Sequence, residues 1–294
     1  MATHDDLEDH DHDRGLGFDL ATLMNRRRAL KFVTGAGALT FLAACGAKSV
    51  VSSASTSAGG GPTTTATTAG TSATTAGTTA TTPASTLTAI PEETAGPFPG
   101  DGSNGVNVLT ESGIVRGDIR SSFGSSSTMA KGIVSTVTLT IVDVSTGKPL
   151  NGAAVYMWHC DRDGNYSLYS NTVKNENYLR GVQAAGSDGV VSFTTIFPAC
   201  YSGRWPHIHF EVYPSISDAT SASNKIATSQ LALPAEVCNT VFATDGYHAS
   251  VANMKRVSLA TDMVFSDGAT LETPAVTGSV ASGYLISLTV PVAA

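Results

Sequence analysis

The sequence predicts a mainly β protein: a β-sandwich with few short helices, preceded by a disordered linker. Val137, Leu139 and Ile141 alternate with Thr136, Thr138 and Thr140, the period-two pattern of a strand with one buried face. Short runs of similar character recur at 153–158, 190–197, 208–213 and 284–290. Turn signals separate them: Thr146-Gly147-Lys148-Pro149, Asp163-Gly164-Asn165 and Ser187-Asp188-Gly189. Many short strands with few helices make a two-sheet sandwich the natural solution, which by itself says nothing about function.

Composition changes sharply along the 294 residues, so the folded part is shorter than the chain. Residues 1–45 read as a targeting segment. Arg26, Arg27 and Arg28 precede Ala29, Leu30 and Lys31, close to a twin-arginine export pattern. An uncharged stretch, 32–44, follows and closes on Leu42-Ala43-Ala44-Cys45-Gly46, which resembles a bacterial lipobox with Cys45 as the lipidated residue. The acidic lead with His4, His10 and His12 precedes the expected cleavage point and reads as a solvated tail. Residues 46–88 are nearly all Ser, Thr, Ala and Gly, with Lys48 the only charge and no aromatic residue. Such a segment cannot bury enough apolar surface to offset the entropy of ordering, and it reads as a spacer. Together these features predict an exported protein held to the membrane only through Cys45.

The remaining segment, 89–294, is one domain of ordinary size. One helix is expected from Pro234 through Ala235, Glu236, Val237, Val241 and Phe242, since proline suits a first turn. A net charge of −7 argues against nucleic acid as a partner.

Two segments carry the functional signal. One is Trp158-His159-Cys160-Asp161-Arg162-Asp163-Gly164-Asn165-Tyr166-Ser167; the other runs from Tyr201 through Arg204, Trp205, His207 and His209 to Phe210. On a strand, His207 and His209 project from one face, so both imidazoles can reach one metal. Paired histidines on a half-buried face are the plainer reading of that pair alone. Tyr166 beside Tyr169 likewise reads as strand aromatics when taken singly, and Arg204 as an ion-pair partner. His159 is expected in the core or behind the ligands, and His248 in a loop.

Taken jointly, the run Tyr-x2-Arg-x2-His-x-His-Phe, preceded by Trp-His-x4-Gly-x-Tyr-Ser, resembles the intradiol ring-cleavage dioxygenases, which include catechol 1,2-dioxygenases and protocatechuate 3,4-dioxygenases. The resemblance covers about 94–213. It implies a non-haem iron(III) ion held by Tyr166, Tyr201, His207 and His209, with Arg204 the active-site arginine. It also implies that Tyr201 takes a substrate proton, and that Thr94, Gly96, Pro97 and Phe98 line the substrate mouth. The implied reaction cleaves a catechol between its hydroxyl-bearing carbons with O2, giving a muconate-type diacid. Two phenolate ligands fit a ferric ion, because a highly charged Lewis acid can ionise a group whose free pKa is about 10. Trp205 stands where many relatives have proline, which would reshape the pocket wall. Two other functions compete: a non-catalytic binding module on a stalk, and a copper or zinc site built from His159, His207 and His209.

Export also places Cys160, Cys200 and Cys238 where disulfides persist. A Cys200–Cys238 bridge is expected, with Cys160 a small buried hydrophobe; Cys160–Cys200 is the competing pair.

Overall fold

The computed structural model describes residues 87–294, so the expectations for 1–45, Cys45 included, and for nearly all of the 46–88 spacer lie outside the described residues. The strand β1 (Val134–Asp143) forms as its alternation predicts. Val137, Leu139 and Ile141 are fully buried, while Thr136, Thr138 and Thr140 stay partly exposed on the other face. It pairs antiparallel with β4 (Val190–Ile196) and parallel with β8 (Gly283–Val292), and β7 (Ala275–Ser279) closes the edge, giving the order β4-β1-β8-β7. The second sheet is antiparallel throughout, in the order β3-β2-β5-β6: β3 (Arg180–Ala184), β2 (Ala154–Trp158), β5 (His207–Tyr213) and β6 (Ala227–Ala232).

The second sheet is covered on both faces: every residue of β2, β5 and β6 is buried. Val155, Met157, Ile208, Phe210 and Val212 join Val137, Leu139, Phe193 and Ile286 in the core between the sheets. Each such side chain contributes about 1.5–3 kcal/mol on burial. Ala154, Tyr156, Trp158 and Tyr213 face a second cluster with Val108, Ile114 and Tyr166, supplied by loops. Backbone bonds lead the N-terminal segment to that outer face: Ile90 N donates to Pro291 O (2.9 Å) and Glu93 N to Thr228 O (2.8 Å). Residues 94–100 are thereby laid against the site.

The expected helix is α1 (Ala235–Phe242), with Pro234 as its N-cap and Cys238, Val241 and Phe242 buried. A second helix, α2 (His248–Met254), was not expected. It buries only Ser250, so its sequence carries no apolar stripe to read. His248, expected in a loop, opens this helix with its side chain 75% exposed. Strands β3, β6 and β7 were also unexpected. Gly181 interrupts β3, β6 buries the polar run Thr228-Ser229-Gln230, and most of β7 is exposed.

The cysteine expectation needs correction. Cys160, Cys200 and Cys238 are all buried free thiols, and neither disulfide pairing is formed. The Cys200 sulfur lies 3.5 Å from the Arg204 carbonyl and the Cys238 sulfur 3.8 Å from the Leu233 carbonyl, so each thiol faces backbone near its own segment. Burial pushes the Cys200 thiol up to about 12, leaving it an inert core group. Cys160 is the buried hydrophobe expected.

Two buried carboxyls set a pH dependence. Burial, then the Glu93 and Asp267 carboxylates, pushes Glu272 up to about 8; burial pushes Glu211 up to about 7 despite Lys225 Nζ at 2.6 Å. Both hold a proton in the fold at pH values where the unfolded chain, near 4.5, has lost it. The fold therefore binds more protons across that window, and stability falls as pH rises from about 5 to 8. Glu272→Gln should flatten part of that slope, raising the melting temperature at pH 8 more than at pH 5. Equal slopes for both proteins would exclude the assignment.

Candidate metal centre

The period of β5 builds the centre. Ile208, Phe210 and Val212 enter the core, so His207 and His209 face the loop-covered side. His207 Nδ1 lies 2.5 Å from the Trp205 carbonyl oxygen. A carbonyl only accepts, so Nδ1 carries the proton and Nε2 presents a bare lone pair. His209 is held differently. Trp158 sits directly across the ladder from it, and the two rings stack at 4.8 Å and 5°. Its Nδ1 has no hydrogen-bond partner among the described residues, so the stack fixes the ring.

Tyr166 follows the turn Asp163-Gly164-Asn165. Asp161 Oδ1 accepts from the Asp163 and Asn165 amides at 2.9 Å each, closing the turn. Gly164 has φ +89°, and a Cβ there would lie 3.2 Å from Tyr201 Cβ. The glycine thus lets the two tyrosine loops touch. Beyond Tyr166, Leu168 takes φ 72°, a strained conformation for a branched side chain. Arg180 supports that bend. Its guanidinium, 1% exposed, donates to Ser167 Oγ, Ser167 O, Pro99 O, Phe98 O and Tyr156 Oη at 2.8–3.0 Å.

Four donor atoms converge. Tyr166 Oη and Tyr201 Oη lie 3.3 and 3.2 Å from His207 Nε2, and His209 Nε2 lies 3.1 Å from it. One lone pair cannot satisfy three partners. Ligands bound at roughly 2.0–2.1 Å around one cation would stand roughly 2.9–3.4 Å apart, which matches. Among the described residues no cluster of three or more His, Cys, Asp or Glu side chains could hold a metal; this set is two imidazoles with two phenols. Burial holds both histidines well below their usual pKa, with the Arg204 charge next for His207 and the neighbouring His207 next for His209. They are neutral donors. Burial pushes Tyr166 well above 10, so only a strong local cation would ionise it. The donor set fits a highly charged metal ion.

Arg204 is fully buried behind the donors. Its Nε bonds Asp262 Oδ2 at 3.0 Å and its Nη2 donates to Gln230 Oε1 at 2.8 Å; Gln230 Nε2 in turn donates to the Thr94 carbonyl at 2.8 Å. The mouth segment is thus tied to the arginine. Phe98 reaches the donors directly, its ring 5.2 Å from that of Tyr166. Thr94, Gly96 and Pro97 line a cleft of about 610 Å³ together with Asn104, Ser223 and Lys225, and none of the four donors lines it. Trp205 does not reshape the pocket wall. Its ring lies in a separate cluster with Val264 and Phe265, and its Nε1 donates to Leu233 O at 2.9 Å. His159 points the other way, Nε2 to Thr195 Oγ1 and Nδ1 to Cys160 O, both at 2.7 Å, so a three-histidine site is not assembled.

Residues 123–216 match the family model described as Dioxygenase. Over 57 residues the chain is 37% identical to chlorocatechol 1,2-dioxygenase of Rhodococcus opacus, covering 19% of this chain and 22% of that protein. Over 56 residues it is 39% identical to catechol 1,2-dioxygenase 1 of Acinetobacter lwoffii, covering 19% and 18%. These matches therefore span about a fifth of the curated relatives. An intradiol ring-cleavage dioxygenase from Tetranychus urticae shares the fold, with TM-score 0.56, 24% identity, and coverage of 70% of this chain and 95% of that one. Residues 123–216 thus match the Dioxygenase family model, and the fold is that of an intradiol ring-cleavage dioxygenase.

The matched region contains Tyr166, Tyr201, Arg204, His207 and His209. Gln230 and Asp262 lie outside it, and sequence reasoning missed both. Gln230 sits in the polar strand β6; Asp262 accepts from the Val264 and Phe265 amides, and an Asp two residues before an apolar pair was its only local signal. Arg180 was missed as well. Arg180→Met should strand several buried acceptors, at about 1–3 kcal/mol for each that cannot relax. A urea titration is expected to show a loss of about 3 kcal/mol or more; a loss below about 1 would show that the loops hold without it.

Proposed function

We propose that this protein is a non-haem iron(III) dioxygenase that cleaves catechols between the two hydroxyl-bearing carbons with O2, giving muconate-type diacids. The observation that carries this reading is the meeting of Tyr166 Oη, Tyr201 Oη and His209 Nε2 within 3.1–3.3 Å of His207 Nε2. Tyr166, Tyr201, His207 and His209 would hold the metal. When bound, the ferric ion supplies the charge that keeps phenols ionised at neutral pH and draws electron density from a chelated catechol.

The chain's own residues divide the remaining work. Tyr201 is partly exposed whereas Tyr166 is buried, so Tyr201 Oη is the oxygen that an entering hydroxyl can reach and protonate. Tyr166, wedged beside Phe98, stays in place. The histidines remain neutral throughout, because burial and the Arg204 charge both oppose their protonation. Arg204 favours negative charge on Tyr166, and the same cation stabilises charge developing on the ring. Thr94, Gly96, Pro97 and Phe98 form the mouth, with the Phe98 ring against Tyr166 and the Thr94 carbonyl tied through Gln230 to Arg204.

Iron and colour test this reading. Purified protein loaded with iron should be red from tyrosinate-to-iron charge transfer, bind one iron per chain and consume O2 with catechol. Tyr166→Phe and His209→Ala should lose colour and turnover together. A coloured, fully active His209→Ala protein would overturn the ligand set.

We further propose export and anchoring through Cys45, supported by Arg26-Arg27-Arg28 and the lipobox-like Leu42-Ala43-Ala44-Cys45. In a host competent for twin-arginine export, labelled palmitate should enter the wild type and not Cys45→Ser, which should leave the membrane fraction. Label retained by Cys45→Ser would refute the anchor.

A further inference from the structure

We infer that Asp262 is the positioning residue of the centre, fixing Arg204 and the backbone of the ligand strand with a single carboxylate; this rests on the proposed role of Arg204. Asp262 is fully buried and lies 58 residues from Arg204 in sequence. Its Oδ2 takes two bonds, from Arg204 Nε at 3.0 Å and from the Trp205 amide at 2.6 Å. Its Oδ1 accepts from the Val264 and Phe265 amides at 2.8 and 3.2 Å, so its own position is set by a tight turn. The Trp205 backbone passes the constraint on. Its N–H is held by Asp262 while its C=O takes the His207 Nδ1 proton. One carboxylate therefore reaches the arginine directly and a metal-donor histidine through the backbone of the single residue Trp205.

The chemistry requires an acid here. A buried guanidinium needs a counter-ion and acceptors for its fork of donors, and Gln230 supplies only a neutral oxygen. Lysine at 204 could not span Asp262 and Gln230 together. Asparagine at 262 keeps the shape and one acceptor oxygen but loses the charge.

A double-mutant cycle in the iron-loaded enzyme tests the assignment. Asp262→Asn should retain iron and the red band, lower kcat for catechol about 10²-fold and change KM far less, as loss of a charge-stabilising group does. Asp262→Glu should recover part of that loss. Arg204→Ala/Asp262→Asn should lose less than the product of the two single losses, because Asp262 acts in large part through the arginine. Unchanged kcat in Asp262→Asn, or losses that multiply in full in the double variant, would overturn it. Thermal unfolding of the metal-free proteins gives a second readout, independent of turnover. Asp262→Asn leaves the buried cation without its counter-ion, so the neutral pair Arg204→Gln/Asp262→Asn should melt higher, or fold where the single variant does not. A neutral pair no more stable than Asp262→Asn refutes the coupling. An inactive wild type with this thermal coupling intact would count against the dioxygenase reading and leave the Arg204–Asp262 unit standing.

Discussion

Everything at the centre depends on the two-residue period of β5. The strand that inserts Ile208, Phe210 and Val212 between the sheets necessarily turns His207 and His209 to the opposite face. A register slip of one residue would exchange the sets, burying imidazoles in an apolar core and turning the large apolar side chains outward. The packing energy of the sandwich therefore also specifies the donor geometry. The same logic holds across the ladder on β2, where Met157 enters the core and Trp158 emerges to stack on His209.

A sheet with donors on its outer face has to be roofed by something other than a second sheet. Loops do this here, and loops bring polar backbone that must be satisfied. Arg180 binds three of those carbonyls and Asp262 three amides, from segments far apart in sequence. The conformational strain at Leu168 is tolerable because Ser167 on one side is doubly bonded to Arg180. Charged side chains buried this deeply act as connectors between loops, and their specificity lies in where several acceptors or donors coincide.

Legibility in the sequence followed the same division. The strands with clean alternation, β1 and β8, and the apolar runs of β2, β4 and β5 were readable because hydrophobic burial dictates them. Strand β6 was not, since Thr228, Ser229 and Gln230 are buried for hydrogen bonding rather than for apolar area. The two histidine donors were legible as a pair because they share one strand face, whereas the two tyrosines joined them only through the resemblance to the intradiol dioxygenases. Asp262 and Gln230 were illegible because their contact with Arg204 is purely tertiary. The disulfide expectation failed for a related reason: a compartment argument says which cysteines could oxidise, while packing directs the Cys200 and Cys238 sulfurs toward different carbonyls.

The two buried arginines bracket the donors with different electrostatics. Arg204 is paired with Asp262, yet its charge still opposes protonation of both histidines more than that of Arg180 does. Arg180 makes no ion pair among the described residues and is satisfied by neutral oxygens alone. Its full positive charge therefore extends into a medium of low dielectric, where it opposes protonation of His209. The proposed centre, with two phenolates near a trivalent cation, would benefit from two such arginines. One guanidinium is held rigid by a counter-ion for work close to the reacting ring. The other is held by loop carbonyls, where its charge adds a smaller opposition to protonation of His209 and the same bonds keep the Tyr166 loop closed.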